Sequence, residues 1–527
     1  MVTANPSPTA FPPTVLDTRS LAAFRILLGL YLLYDIYARL SLGKYDWAWY
    51  TETPIERSFL LPADTPHKAP FHQFWFQRGT LNFQMLAFAL SAVLSLCFCI
   101  GFRCNGLVKT LLWIAQVAQH SRNMYVTDGS DSFLRHLLLW ACFLPLSERW
   151  SLDSIMKRRK IVPDKAVTVS GLACLAITLQ VVLMYTGTVM HRCTDIYGLK
   201  GLSKSQWMPP ALSAVHYALS GSFATRQNLL TATIRVHATL SRGMTLTAMI
   251  AEFLAPLACL IMGCKRHYPA LVLFQLHAGL YLTLNLPNWQ FVGMLIQVLW
   301  IPSTVWEQYA MTAASCESID DYKKTDGDAK TDGDAKTPRP LKANPVSRFV
   351  QYFLFLYMIY NWLGMRGWIT KLDNGDIGEG LRLSQYWVMY GTVGKTADTL
   401  QLTGILPPRS ESGSPTRLDL LHYIGTGKDR IQDPEDFVPE NMSIRYPSSR
   451  WERALHQWAQ ESKTKQAKHL CEVVCTFVNE DRVAEGLPKL SQVAVLFQHL
   501  IVLPPGSAQR YANRRSGPDT GLQVDCH

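Results

Sequence analysis

The chain has 527 residues, a net charge of +11 and a hydrophobic fraction of 48%. Such a fraction is ordinary for a soluble protein, but here the apolar residues gather into runs of about 15 to 24, near the length a membrane helix needs, which excludes a string of ordinary soluble domains. The Lys and Arg residues lie mostly between those runs, a topogenic pattern rather than a nucleic-acid-binding stripe, so membrane lipid is the expected partner and nucleic acid is not.

Residues 1–15 read as a disordered, Pro-rich cytosolic tail without the positive cluster of a cleavable signal peptide. The first expected span, 21–40, carries Arg25, Asp35 and Arg39. A charge at mid-bilayer costs about 3 kcal/mol on insertion scales and usually faces the bundle interior; Asp35 and Arg39, four apart, are placed to pair, and Arg25 either snorkels to the interface or finds a buried partner. The aromatic-rich segment 41–80 suits the membrane interface. Spans are expected at 81–100, 107–118 and 133–146. Asp131 and Arg135, four apart at the start of the last of these, read as a helix-start ion pair. Lys157 to Lys160 is the strongest basic cluster.

The fifth span, 167–190, is a largely apolar run without a charged side chain. It delivers His191, Arg192 and Cys193 to one membrane face, followed by a polar loop with Lys200, Lys204 and Trp207. Span 244–262 contains Glu252, span 268–286 contains His277, and 291–306 returns the chain. An ionisable group within a span is a functional hypothesis by default; for His277 the bland alternative is a core hydrogen bond, with Glu252 as a candidate partner. Residues 307–346 form a low-complexity linker with a tandem Lys-Thr-Asp-Gly-Asp-Ala repeat from Lys324 to Ala335. A last span occupies 347–366. Residues 367–527 read as a soluble, mixed α/β domain, in which Trp451, Ala454, Leu455 and Trp458 form an apolar helical stripe.

The expected fold is therefore an all-α polytopic membrane bundle of about nine spans, 16–306 plus 347–366, followed by a soluble domain. The turns after spans two, four, six and eight are basic, which places residues 1–15 and the linker in the cytosol and 367–527 in the lumen of a secretory-pathway membrane such as the endoplasmic reticulum. The sequon Asn441-Met442-Ser443 agrees. Cys193, Cys471, Cys475 and Cys526 are the candidates for oxidised chemistry. No metal-ligand spacing, phosphate loop or nucleophile elbow is present.

Several short stretches resemble, in order, the horizontally transferred transmembrane (HTTM) domain family, to which vitamin K-dependent gamma-carboxylase is related. They are Leu21 to Gly29, Arg122-Asn123 with Asp128 to Asp131, Phe143 to Ser147 with Trp150 to Asp153, Trp207 with Ala214 to Leu219, His277 to Gly279, and Leu383 to Tyr390. The resemblance covers about residues 16–400. It implies a helical bundle around a quinone-sized pocket, and a reaction in which reduced vitamin K-like quinol is oxidised by O2 to form a strong base. That base takes a proton from a glutamate of a lumenal protein substrate, and CO2 adds. In that family a lysine after the fifth span deprotonates the hydroquinone. Arg192 occupies the matching count here, and arginine stays protonated and cannot be the base. The remaining acceptors are His191, Lys200 and Lys204, with His277 orienting the substrate oxygen; Arg25, Asp131 and Trp207, inside matching motifs, are expected at the substrate. A lumenal tether in relatives implies pairing of Cys193 with Cys471 or Cys475. Two functions follow as expectations: a quinol-dependent carboxylase-like enzyme, or a non-catalytic scaffold or lipid-binding protein on the same bundle.

Overall fold

A computed structural model of the 527-residue chain describes residues 14–51, 59, 80–103, 106–123, 125–156, 168–194, 205–221, 225–309, 338–341, 343–370, 378, 381, 383, 395–408, 414–432, 446–460, 464–507, 511–515 and 520–526. Lys157 to Lys160, Lys200, Lys204, the Lys324 to Ala335 repeat, Asn441 and most of the aromatic segment 52–79 lie outside them.

The membrane part is helical: α1 (Thr18–Leu40), α2 (Leu81–Ile100), α3 (Gly106–Arg122), α4 (Gly129–Ala141), α5 (Leu172–Thr194), α6 (Ala214–Gly221), α7 (Leu229–Val236), α8 (Ala238–Ile261), α9 (His267–Thr283), α10 (Pro287–Leu295) and α11 (Pro345–Met365). Four described helices are long and apolar enough to cross a bilayer: Thr18–Leu40, Leu81–Ile100, Leu172–Cys193 and Ala238–Ile261. At 1.5 Å per residue, α4 with its 13 residues reaches only about 20 Å, short of the ~30 Å hydrocarbon core. The run expected to be one returning span from 291 is the nine-residue α10 followed by a 3-10 segment, Ile296–Trp300. Apolar runs thus become helices long enough to span a bilayer in some places and short buried helices in others.

Local chemistry sets the helix ends. Asp17 accepts from the Arg19 amide at 2.7 Å to start α1. Asp128 and Asp131 form a reciprocal capping box on α4, in which Asp131 Oδ2 accepts from the Asp128 amide at 2.9 Å. Gly101, at φ +68, ends α2 in the left-handed conformation. The helix of the fifth span begins at Leu172. Thr168–Ser170 is a strand, β2, pairing antiparallel with β1 (Val15–Asp17) and parallel with β3 (Arg339–Pro340), as the β-branched Thr168-Val169 favours. This small sheet gathers the starts of α1, α5 and α11 at one end of the bundle.

The C-terminal part is mixed α/β, as expected. β4 (Thr396–Ile405) lies at the centre of an antiparallel sheet between β5 (Arg417–Asp419) and β6 (Gln492–Val502); the other edge of β6 takes β8 (Thr520–Asp525) along its first half and β7 (Tyr511–Arg515) along its second. Helices α12 (Leu420–Thr426), α13 (Ser449–Gln460) and α14 (Thr464–Ala484) accompany it.

Two cores result. One joins α1, α4, α5 and α10 through residues such as Phe24, Leu137, Ile177 and Leu295. The other joins the segment after α1 to the C-terminal part through Tyr45, Trp49, Tyr50, Trp451 and Phe477. Tyr45 stacks on Phe477 at 4.6 Å, and the Trp451 indole donates to Asp46 at 2.5 Å. The described aromatics of 41–51 are therefore largely covered by protein. The sequence shows their density but not the domain that returns to bury them.

That domain caps the end of the bundle where α1 and α3 finish and α2 and α4 begin. The other end, with the small sheet, holds Arg103, Lys109 and Arg149. Among the described residues the disulfide is Cys475–Cys526, with a Cα separation of 5.8 Å; Cys193 and Cys471 are free thiols. The expected pairing of Cys193 with Cys471 or Cys475 is thus corrected: β8 lays Cys526 beside α14, while Cys193 packs near Met208 at 3.7 Å between sulfurs.

Candidate functional site

Helix α5 carries two polar centres on one face. Tyr185 and Arg192 are seven residues apart, two turns or about 10 Å along the axis. Tyr185 is buried, and its hydroxyl lies 2.6 Å from Nε2 of the buried His277 on α9. Gln297 donates to the same hydroxyl at 3.1 Å, so the hydroxyl's own proton goes to His277. Nε2 is then the acceptor and Nδ1 carries the proton, aimed at Gln290 Oε1 at a long 3.5 Å. The ring lies against Gly293, where an added Cβ would sit 2.3–2.4 Å from imidazole atoms. His277 thus has the expected core hydrogen bond, with Tyr185 as its partner.

Glu252 on α8 serves Arg192 instead. Arg192 Nη1 donates to Glu252 Oε2, and both side chains are buried. The guanidinium carbon lies 4.0 Å from the Trp207 ring centroid, a cation–π contact. Ser205 Oγ donates to the Arg192 carbonyl at 2.7 Å and accepts from the Trp207 amide at 3.2 Å, which fixes the indole over the guanidinium. Trp207 is therefore a cover on Arg192. His191 is half-buried and, at 100° per residue, is rotated about 120° from the Tyr185–Arg192 face.

Asp131 belongs to a second centre. Asp35, Arg39, Asp131 and Arg450 form a buried ring of alternating charge. Arg39 donates to Asp35 at 2.7 Å, as its spacing predicted, and to Asp131 at 2.6 Å. Arg450 on α13 donates to Asp35 at 2.5 Å and to Asp131 at 2.9 Å. Arg135, expected to pair with Asp131, has its Nη1 3.1 Å from His120 Nδ1, which leaves the imidazole proton on Nε2, 3.5 Å from Asp131. Asp35, His120 and Asp131 bring ligand atoms within 4.8 Å of one another, the donor types of a divalent-cation site. Two arginines already neutralise the two carboxylates and occupy their oxygens, so the set balances its own charge.

Arg25 lies at the opposite end of α1 with no exposed surface. Its guanidinium donates to the carbonyls of Cys99 (3.2 Å), Leu146 (2.8 Å), Arg149 (3.1 Å) and Trp150. These carbonyls end α2 and follow α4, where a cation is favoured by the unsatisfied acceptors. The buried-partner expectation holds, and the role is that of a clasp, away from Arg192 and His277.

Of the residues singled out from sequence, Arg192 and Trp207 come together, and His277 shares the α5 face with Arg192. Asp131 and Arg25 fall in separate clusters. Sequence reasoning missed Tyr185, Gln297, His120 and Arg450; only Tyr185, inside a charge-free span, carried a visible signal, a polar group in an apolar helix. Compared with known families, curated proteins and solved structures, the chain has no match.

Proposed function

We propose that this is an integral membrane protein with sequence stretches resembling those of the gamma-carboxylase family, whose bundle serves as a scaffold and not as a quinol-deprotonating enzyme. One observation carries the reading. At the position of the expected base, Arg192 is buried, ion-paired with Glu252 and covered by Trp207. A guanidinium cannot accept a proton, and this one is engaged by a carboxylate and an aromatic face. The residues at this position therefore do not fit the hydroquinone chemistry of the resemblance, and no step is routed through a quinol.

The same reading places the protein in a secretory-pathway membrane with the C-terminal domain lumenal. Support comes from the Cys475–Cys526 disulfide, which belongs to an oxidising compartment, and from Arg103, Lys109 and Arg149 at the end of the bundle away from that domain.

The test has two arms. Arg192→Met leaves Glu252 buried without its cation, so a loss of about 3–5 kcal/mol of stability is expected; Arg192→Met with Glu252→Met should recover most of it. In parallel, folded protein is given reduced vitamin K, a glutamate-containing peptide and labelled carbon dioxide, and no product is expected. Carboxylation that disappears when His191 is replaced would overturn the scaffold reading in favour of the enzyme.

A further inference from the structure

After α4 the chain forms a short helix, Leu152–Met156, whose polarity is inverted. Leu152, Ile155 and Met156 have the i, i+3, i+4 spacing of one helical face, and they are 38%, 62% and 55% exposed. Asp153 and Ser154, the polar residues between them, are 8% and 5% exposed. A surface helix in water turns its apolar stripe inward; this one turns it out.

Hydrogen bonds hold it in that orientation. Asp153 Oδ1 accepts from the Arg103 amide at 2.8 Å, and the Asp153 amide donates to the Gly101 carbonyl at 3.1 Å. These two bonds fix the helix beside the turn from α2 to α3, one boundary of the membrane-embedded part. Ser151 Oγ accepts from the Ser154 amide at 3.0 Å, and Ser154 Oγ donates to the Ser151 carbonyl at 2.7 Å. Arg25 holds the carbonyls of Arg149 and Trp150 from inside. Trp150, in the left-handed conformation at φ +47, is 50% exposed, as suits an indole at the head-group level of a bilayer. Rolling the helix to hide Ile155 would break both Asp153 bonds, so the outward face calls for an apolar medium.

The charge around the helix is one-sided. Glu148 pairs with Arg339 at 2.5 Å, and the Asp153 carboxylate is turned inward. Arg103, on the adjoining turn, is exposed. Met156 is followed directly in sequence by Lys157-Arg158-Arg159-Lys160, and chain length alone keeps those cations within about 15 Å of it. An outward apolar face next to a cluster of Lys and Arg is the chemistry that attracts an anionic bilayer surface.

We propose that this helix lies in the bilayer interface and recruits anionic phospholipid, with Leu152, Ile155 and Met156 among the acyl chains and the neighbouring basic residues at the head groups. The inference rests on the protein being integral to a membrane; it depends neither on the scaffold reading of Arg192 nor on which face is cytosolic, so the carboxylation assay and the experiment below fail separately.

The experiment uses the full chain in phosphatidylcholine nanodiscs that contain a minor share of phosphatidylserine. A photo-crosslinking amino acid replaces Ile155 in one protein and Leu90, exposed on α2, in another, and the lipid adducts are identified by mass. At Leu90 the two lipids should be captured in proportion to their share of the bilayer. At Ile155 phosphatidylserine should be captured about fivefold or more above its share, the factor that corresponds to the attraction of one basic residue to an anionic surface. Replacing Lys157, Arg158, Arg159 and Lys160 by Gln changes no residue of the helix and should bring the Ile155 ratio down to that of Leu90. Should that variant not fold, raising the salt around the parent protein makes the same comparison, because screening should lower the enrichment at Ile155. A probe at Ile155 that captures no lipid, or captures the two lipids in proportion, overturns the proposal; so does an enrichment that survives both the replacement and the salt.

Discussion

Replacing Arg450 should uncouple the C-terminal domain from the membrane bundle. Arg450 reaches across 319 residues of sequence to Asp131 and 415 to Asp35, and its Nη1 also donates to the Val126 carbonyl at 2.5 Å. Asp35, Arg39 and Asp131 have side chains with no exposed surface, and that of Arg450 is 7% exposed. In the intact ring each carboxylate meets both guanidiniums and the four charges cancel. Arg450→Met removes one cation and leaves two buried carboxylates sharing Arg39, together with an unpaired carbonyl. Breaking a buried pair from one side costs about 3–5 kcal/mol, so a loss near the top of that range is expected. Arg450→Lys should recover only part, because an ammonium lacks the planar fork that serves Asp35, Asp131 and Val126 together. Thermal unfolding of the detergent-solubilised protein reads the loss, and limited proteolysis reads whether the C-terminal part is released first. The double replacement Asp35→Asn with Arg450→Met should cost less than the sum of its single replacements by about 1–3 kcal/mol, the coupling expected within one network. Strict additivity, or a loss below about 1 kcal/mol for Arg450→Met, would refute the reasoning.

The legible part of this ring was its local half. Asp35 and Arg39 lie one helical turn apart, so spacing alone places them together, and they do pair. Nothing local connects either to Arg450. The same division runs through the chain. The apolar runs showed membrane helices, yet whether a run spans or folds into short buried pieces depends on turns such as Leu286-Pro287 and Ile301-Pro302, where proline interrupts the backbone ladder. The density of aromatics at 45–50 was visible, but burial by α13 and α14 is a tertiary event. Glu252 and His277, two ionisable groups in neighbouring spans, invited pairing with each other; each took a partner on α5, because Tyr185 and Arg192 occupy one face two turns apart. A disulfide was expected from the right set of cysteines with the wrong partner, since pairing is decided by the strand that brings Cys526 to α14 and not by spacing.

Three further outcomes are expected. Reduction, or Cys475→Ser, opens a loop of sequence separation 51 and should destabilise the C-terminal part by about 4 kcal/mol on the chain-entropy relation, seen as a lower unfolding temperature; an unchanged temperature sinks this. Gly293→Ala must displace the His277 ring, since its Cβ would stand 2.3 Å from it; a loss of about 1–3 kcal/mol is expected for such overpacking, and Gly293→Ala with His277→Ala should restore part of it, whereas equal stability of Gly293→Ala and the parent would show that the ring is free to move. The last concerns pH. Glu452 on α13 is 3% exposed, and its Oε1 has no hydrogen-bond partner. Burial pushes its pKa up to about 8 from an ordinary 4.5, and the neighbouring Arg453 offsets only part of that. Below about pH 4.5 the carboxyl is protonated in both folded and unfolded chains and contributes no pH dependence. Between about 4.5 and 8 the unfolded chain has released a proton that the folded chain still holds, so stability falls as pH rises, by at most about 1.4 kcal/mol per pH unit. Above 8 the full penalty is present. Glu452→Gln keeps the shape and removes the titration, so its unfolding temperature should change less than the parent's between pH 5 and 8 and exceed the parent's at pH 8. The same slope in both proteins would mean that Glu452 is already ionised in the folded state, and that Arg453 or water reaches it.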